Sequence, residues 1–339
     1  MKIDIFPHIF PPSFYDRMLK VSEPAAKYFK RRVQQMPILT DLEQRLKLMD
    51  QFPGYQQVLT AAGPSIETFC GPDVAPEAAR VANDGMAEIC AKYPDRFLGF
   101  AASLPMNNMD AAIQEVDRSI QKLGAHGVQI FTNVNGKPLD EVEFRPLFKK
   151  MAEYDKPIWL HPTRPSSFPD YATEKHSRYE LWWVFGWPYE SSIAMARLVF
   201  TGIFDEYPNL NIITHHLGAM IPYFEARIGP GLDALGSRTP DHEKHLYEHH
   251  LKRRPLDYFR MFYGDTALVQ GPAQLECGTA FFGIDHVLFG TDMPFDHEGG
   301  YFNVRESIKS IDGMSIAPSD RIKIYETNAQ RLLKLTAGK

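Results

Sequence analysis

The sequence predicts a single (β/α)8 barrel on three observations. Eight short apolar runs recur along 339 residues, amphipathic stretches separate them, and polar residues stand at the ends of several runs. The runs are Lys2–Phe6, Gln57–Ala62, Phe97–Ser103, Gly127–Thr132, Pro157–His161, Asn211–His216, Met261–Thr266 and Val287–Asp292. Several are rich in Ile, Val and aromatic residues, as strands buried on both faces are. Between them Glu77–Lys92, Met109–Leu123, Phe144–Tyr154 and Ser191–Phe204 have helical character. Strand alternating with helix implies parallel strands joined by crossovers, and eight such units close into a TIM barrel. A doubly wound open sheet is the competing architecture, but no glycine-rich phosphate turn follows the first strand.

Two segments exceed the minimal repeat. The first, 11–52, is charged and helical in flavour and is expected to lay extra helices over the barrel mouth. The second, 162–190, is rich in proline and aromatics and too long for an ordinary loop. It leaves the C-terminal end of the fifth strand, where a barrel builds its lid or substrate pocket. No repeat, low-complexity tract or domain boundary interrupts 1–339, so one domain is expected.

Composition narrows the function. Hydrophobic residues are 44% and charged residues 23% of the chain, ordinary values for a domain with a sizeable core. A net charge of −5 gives no reason to expect a nucleic-acid partner, and Lys252-Arg253-Arg254 is a short solvated cluster. Three cysteines, Cys70, Cys90 and Cys277, are too few and too dispersed for a disulfide framework or a cysteine zinc site. The opening MKIDIFPHIFPP lacks the build of a signal peptide, and no apolar run approaches the roughly 18–20 residues that span a bilayer. A cytoplasmic protein with no membrane partner is expected.

The chemistry lies at the strand ends, whose side chains converge on one site in a barrel. His8 follows the first strand, His161 closes the fifth, His216 the sixth and Asp292 the eighth. Imidazole and carboxylate together suit a borderline divalent ion such as zinc, manganese or iron(II).

These residues also carry a resemblance. IDIFPHIFP at the start, LHP at 160–162, HLGAMIPYFEARI at 216–228 and FGTDMPF at 289–295 resemble the amidohydrolase-related family. Within it they are most similar to the branch of aminocarboxymuconate semialdehyde decarboxylase and the hydroxybenzoate decarboxylases. The likeness runs in order along nearly the whole chain. It implies His8, His161 and Asp292 as ligands of a zinc or manganese ion, with His216 beside the metal handling substrate or water. Asp292 would have a second task as acid or base. One departure stands out: where the family's first strand carries the first of two ligands, this chain has Phe6. Period-two alternation places Asp4, Phe6 and His8 on one face, so Phe6 should point where the missing ligand belongs and meet the substrate instead. His216 is then a possible fourth ligand.

His215 should face away from His216 and act as a structural or supporting residue, although a register slip of one residue would exchange the two. Asp265 is either a family feature or an ordinary strand-end hydrogen bonder. Arg164, three residues past His161, could clamp a substrate carboxylate in a bidentate fork. His176 and Arg178 are weaker candidates of the same kind. Trp182, Trp183, Phe185 and Trp187 could wall an aromatic pocket, pack in the core or make a dimer contact. His242, His245, His249 and His250 follow helical spacing and read as a solvated face.

The expected reaction is metal-assisted, non-oxidative decarboxylation of a small aromatic or muconate-like carboxylic acid, with Asp292 or His216 delivering a proton to carbon. The same residues would serve a hydrolase or hydratase. A barrel that has lost its metal and only binds is the alternative from another class. The resemblance further implies a homodimer.

Overall fold

Each apolar run becomes a strand. In the computed structural model, which describes residues 1–246, 251–268 and 271–335, the barrel strands begin with Lys2–Asp4, Tyr55–Ala61, Phe97–Ser103 and Gly127–Phe131. Ile158–His161, Ile212–Thr214, Tyr263–Asp265 and Val287–Leu288 complete the set. Each pairs in parallel with its neighbour in chain order. The Ile5 N–H donates to the Phe289 carbonyl at 2.9 Å, and the His8 N–H donates to the Met293 carbonyl at 2.7 Å. The eighth strand therefore returns beside the first, which an open doubly wound sheet does not allow.

The interior is filled by Ile3, Ile5, Phe6, Val58, Ala101, Trp159, Ile213 and Leu288, joined from the C-terminal helix by Leu332 and Leu333. The barrel is thus a packed core with its open end at the strand C-termini. Helices Ala75–Lys92, Met109–Leu123 and Arg145–Tyr154 cover the outside close to their expected positions. The helix expected at Ser191–Phe204 starts earlier and spans Gly186–Phe200. No helix among the described residues is long and apolar enough to cross a membrane.

The 11–52 insertion forms three helices, α1 (Pro12–Met18), α2 (Glu23–Gln35) and α3 (Leu42–Met49). Ser22 caps α2 by accepting from the Ala25 N–H at 3.3 Å, and Asp41 caps α3 by accepting from the Gln44 N–H at 3.0 Å. Phe14 and Phe29 anchor α1 and α2 in a separate cluster with Phe10 and the alanine face Ala75, Ala78, Ala79 and Ala82. This packing fixes α2 over one side of the barrel mouth.

The expected alternation fails at one point in the first strand. Ile3 and Ile5 join the interior, while Asp4 turns outward to Tyr55, whose hydroxyl donates to it at 2.5 Å. Thr291 Oγ1 also donates to Asp4 at 2.5 Å. Strand pairing stops at Asp4, and the Phe6 N–H donates to the Asp4 side chain at 3.0 Å across a bend. Phe6 and His8 then both face the interior without Asp4. Burial pushes the Asp4 carboxyl up to about 6 despite these hydrogen bonds. Behind them lies fully buried Arg45, which donates to Gln57 Oε1 at 2.9 Å and to the His8 carbonyl. Burial lowers its guanidinium to about 10.

Glu67, in the turn after the second strand, is buried, and neither carboxylate oxygen has a hydrogen-bond partner. Burial raises it from 4.5 to about 7. A raised folded pKa means that its favourable contribution is full below about 4.5 and is lost as pH rises through about 7. The wild type should lose on the order of 3 kcal/mol of stability from this group between pH 4.5 and pH 8. Thermal melts of Glu67→Gln should not show that loss.

Candidate active site

Three histidines meet at the barrel mouth. Ligand nitrogens of His8, His161 and His215 lie within 4.8 Å of one another, and a second group of the same tightness joins His215, His216 and Asp292. His8 Nε2 is 3.1 Å from Asp292 Oδ1, His215 Nε2 is 3.6 Å from the same oxygen, and His216 Nε2 is 3.7 Å from Asp292 Oδ2.

The backbone is strained where it presents Asp292 and His216. Asp292 has φ 56°, and His216, Leu217 and Ala219 have φ between 52° and 55°. Non-glycine residues in this region cost about 1–3 kcal/mol each and cluster at functional sites. The His216 turn is held by its neighbour Leu217, which packs so closely on Gly278 that a Cβ there would lie 2.2 Å from Leu217 Cδ2. Gly278→Ala should therefore displace the turn and lower activity, which steady-state kinetics would detect.

The remaining ring nitrogens fix the tautomers. His161 Nδ1–H donates to the Pro162 carbonyl at 2.7 Å. His215 Nδ1–H donates to Asp265 Oδ2 at 2.5 Å. Thr60 Oγ1 spends its proton on the Pro7 carbonyl at 2.9 Å and so accepts from His8 Nδ1–H at 3.1 Å. In all three rings Nδ1 is the donor, which leaves Nε2 available on the site side.

Burial and charge set the protonation states. Burial lowers His8 and His161, and for His161 the other imidazoles lower it further, so both are neutral at pH 7. Burial also works against charge on His215, but Asp265 and Asp292 overrule it and raise His215 to about 9. Burial and His215 lower His216. Burial pushes Asp292 upward, yet the imidazoles of His215, His216 and His8 gathered around it hold it well below the usual carboxylate range.

The donor set fits a divalent metal. Nε2 of His8 and Nε2 of His215 are buried without hydrogen-bond partners, a costly arrangement unless something else satisfies them. Neutral imidazoles with one ionised carboxylate are suitable ligands, and the proton on Nε2 of His215 is the one a cation would replace.

Two adjoining cavities of about 620 and 610 Å³ open onto the cluster. Arg32, Trp182, Trp187, Asp292 and Phe295 line both, His161 and Arg164 line the first, and His216 and Trp183 the second. Arg164 borders the cavity, but its Nη1 is bound to Glu190 Oε1 at 2.9 Å. Phe6, expected at the substrate, lines neither cavity; it is fully buried with its ring stacked on His215, centroids 4.0 Å apart. The bend after Asp4 seats it beneath the histidines.

His215 is the main correction. The sixth strand ends at Thr214, two residues before its expected end at His216, and His215 and not His216 projects among the other two histidines. Asp265 supports His215 directly, and it also accepts from the His216 N–H at 3.0 Å. His176, Arg178 and Phe185 are exposed, as is His242 beside Glu243. His245 lies in the turn Asp241–Leu246, and His249 and His250 fall outside the described residues. Arg32 was missed: its guanidinium stacks on Phe295 at 4.5 Å, its Nε is buried and unpartnered, and a charged insertion helix offers no sequence signal that singles it out.

A family model described as amidohydrolase matches residues 14–335. The chain belongs to the amidohydrolase family. Gamma-resorcylate decarboxylase of Rhizobium sp. (strain MTP-10005) is 36% identical over 311 residues, covering 86% of each chain. The 2-amino-3-carboxymuconate-6-semialdehyde decarboxylase of Dictyostelium discoideum is 31% identical over 239 residues, covering 70% of this chain and 62% of that protein. Among solved structures, a dihydroxybenzoic acid decarboxylase from Polaromonas sp. JS666, with bound manganese and the inhibitor 2-nitroresorcinol, superposes with a TM-score of 0.77. It is 27% identical and covers 99% of this chain and 98% of its own. The family and the decarboxylase branch expected from the motifs are both met, and the chain is a carboxy-lyase of this superfamily.

Proposed function

We propose that the protein is a metal-dependent, non-oxidative decarboxylase acting on a small aromatic acid of the hydroxybenzoate class. The observation that carries this is the unspent polar capacity in an aromatic-walled cavity above the histidine–aspartate cluster. Trp187 packs edge-on to His161, centroids 5.6 Å apart, and its indole N–H is buried without a partner. Trp182, Phe131 and Phe295 supply further ring surface. Among the described residues no carboxylate pairs with Arg32. A flat, anionic, oxygen-rich ligand satisfies all three features, with Arg32 and the Trp187 N–H on its oxygens and the aromatic walls on its faces. Two of the relatives above are named as decarboxylases of gamma-resorcylate and of dihydroxybenzoic acid.

His8, His161 and Asp292 would hold the cation, which supplies a Lewis acid that orients the carboxylate and takes up charge on a neighbouring oxygen. The protein's own task is the proton. Breaking the ring–carboxylate bond releases CO2, and the electron pair left on carbon takes up one proton. Asp292 and His216 are the pair placed to hold and deliver it. A ligand filling the aromatic-walled cavity would displace water from beside the reacting carbon and so strengthen the charge interactions in the site.

Zinc and manganese both remain within the proposal. So do a cytoplasmic location, in keeping with three free cysteines, and a homodimer, for which the exposed Tyr189 and Tyr223 beside an apolar groove are the support.

Product analysis tests the reaction. Metal-supplemented protein given 2,6-dihydroxybenzoate should release CO2 and resorcinol in equal amounts, and Trp187→Phe should raise KM. Turnover of ester or amide substrates, with no CO2 from any hydroxybenzoate, would replace decarboxylation with hydrolysis.

A further inference from the structure

Phe6 changes the chemistry of the metal centre, given the proposal above that the cluster holds a divalent cation. We infer that His215 is the fourth ligand and that the centre is built to prefer a nitrogen-seeking ion such as zinc over manganese.

The argument begins with Phe6. Its ring is fully buried, stacked on His215 at 4.0 Å and 24°, and within 5.6 Å of the His8 ring and 6.0 Å of the His161 ring. The first strand therefore closes that side of the centre with hydrocarbon. Its other acid, Asp4, is turned outward and bound to Tyr55 and Thr291. Asp292 is left as the carboxylate of the cluster.

His215 takes up the vacancy in the donor set. Its Nε2 is buried, unpartnered and grouped with His8 and His161. Asp265 holds its opposite nitrogen and is itself fixed by the N–H groups of His216 and Ala267, at 3.0 and 2.9 Å. A carboxylate on the far nitrogen is the support that a metal-bound histidine normally has. His216 differs on each count. Among the described residues no carboxylate supports its far nitrogen, its Nε2 stands 3.7 Å from Asp292 Oδ2, and its side chain lines the second cavity, on the substrate side.

Three neutral imidazoles and one carboxylate carry a single negative charge, so a divalent ion keeps a net charge of +1. Imidazole-rich sets suit zinc, copper, nickel and iron, whereas manganese is the weakest binder of the series and favours oxygen donors. The residual positive charge also strengthens attraction for an anionic substrate. Phe6 is thus a specificity residue for the ion: it removes an oxygen or nitrogen position that would be open to a first-strand ligand.

The test begins with unaltered protein. After chelator treatment, the chain is loaded with copper(II) as a probe, and pulsed electron paramagnetic resonance counts coordinated imidazoles. Three are expected in the wild type; two would overturn the assignment. Competition titrations with zinc and manganese follow. His215→Gln should weaken zinc binding at least about tenfold, and His216→Gln should leave it unchanged. The reverse pattern would overturn the assignment, as would equal affinities for zinc and manganese. Phe6→Glu should raise manganese affinity relative to zinc, and an unchanged ratio would count against the role of Phe6. Absence of any bound ion in the wild type would instead defeat the metal-dependent decarboxylase proposal itself, so the two failures are distinct.

Discussion

Asp292→Asn is expected to lower the rate of CO2 release by about 10²–10⁴-fold, the range removed with a positioned acid or base. The change is nearly isosteric, but it reverses what the site needs. Asp292 faces three imidazoles, with His8, His215 and His216 Nε2 at 3.1, 3.6 and 3.7 Å, and sits beside both histidine groups. An amide has only one acceptor oxygen and carries no negative charge for the cation or the surrounding imidazoles. It can neither ligate as an anion nor carry the proton to carbon. Measured at saturating metal, the loss should appear in kcat more than in KM, because Arg32 and Trp187 still hold the ligand. A variant with near wild-type kcat would remove Asp292 from the chemistry and leave His216 as the proton donor.

The second large effect is on stability, and it arises behind the site. Arg45→Met should cost about 3–5 kcal/mol, the scale of removing one member of a buried charged network. Arg45 is the largest buried charged group, and its guanidinium ties Gln57 to the His8 carbonyl. Methionine fills much of the volume but leaves that carbonyl and Gln57 without donors, and it leaves Asp4 without the nearby positive charge. Because Arg45 grips the residue that presents the His8 ring, metal affinity should fall about 10–100-fold as well. Lysine should restore little, since it cannot reproduce the planar fork. Thermal melts and metal titrations on the same samples separate the two losses.

The barrel was legible because burial on both faces leaves an unbroken apolar run, and eight such runs separated by helical periods admit few architectures. His8, His161 and Asp292 were legible for a related reason: the end of an apolar run marks the end of a strand, and the barrel gathers those ends. The sixth strand exposed the limit of that reasoning. Ile-Ile-Thr-His-His contains two polar aromatic residues in succession, and a strand that stops two residues before its expected end turns His215 in among the other histidines. The deciding contact, Asp265 on His215, joins residues 50 apart and is invisible to local pattern.

The first strand failed differently. Period-two alternation assumes continuous pairing, whereas the chain bends after Asp4 to bury a carboxylate network behind the strand. Phe6 still reached the expected neighbourhood, where its ring stacks on His215. Arg32 and Trp187 could not be ranked above Arg164, because an arginine's availability depends on its partners: Glu190 occupies Arg164, and no carboxylate among the described residues occupies Arg32.

The central claim is that the histidine–aspartate cluster uses a bound divalent ion to drive decarboxylation. The most direct measurement follows CO2 release from 2,6-dihydroxybenzoate while the ion is stripped by chelator and returned, with elemental analysis at each stage. The account predicts about one ion per chain, activity lost with it and restored by zinc or manganese, and neither ion nor activity in His161→Ala. Full activity in protein shown to be free of metal would contradict it.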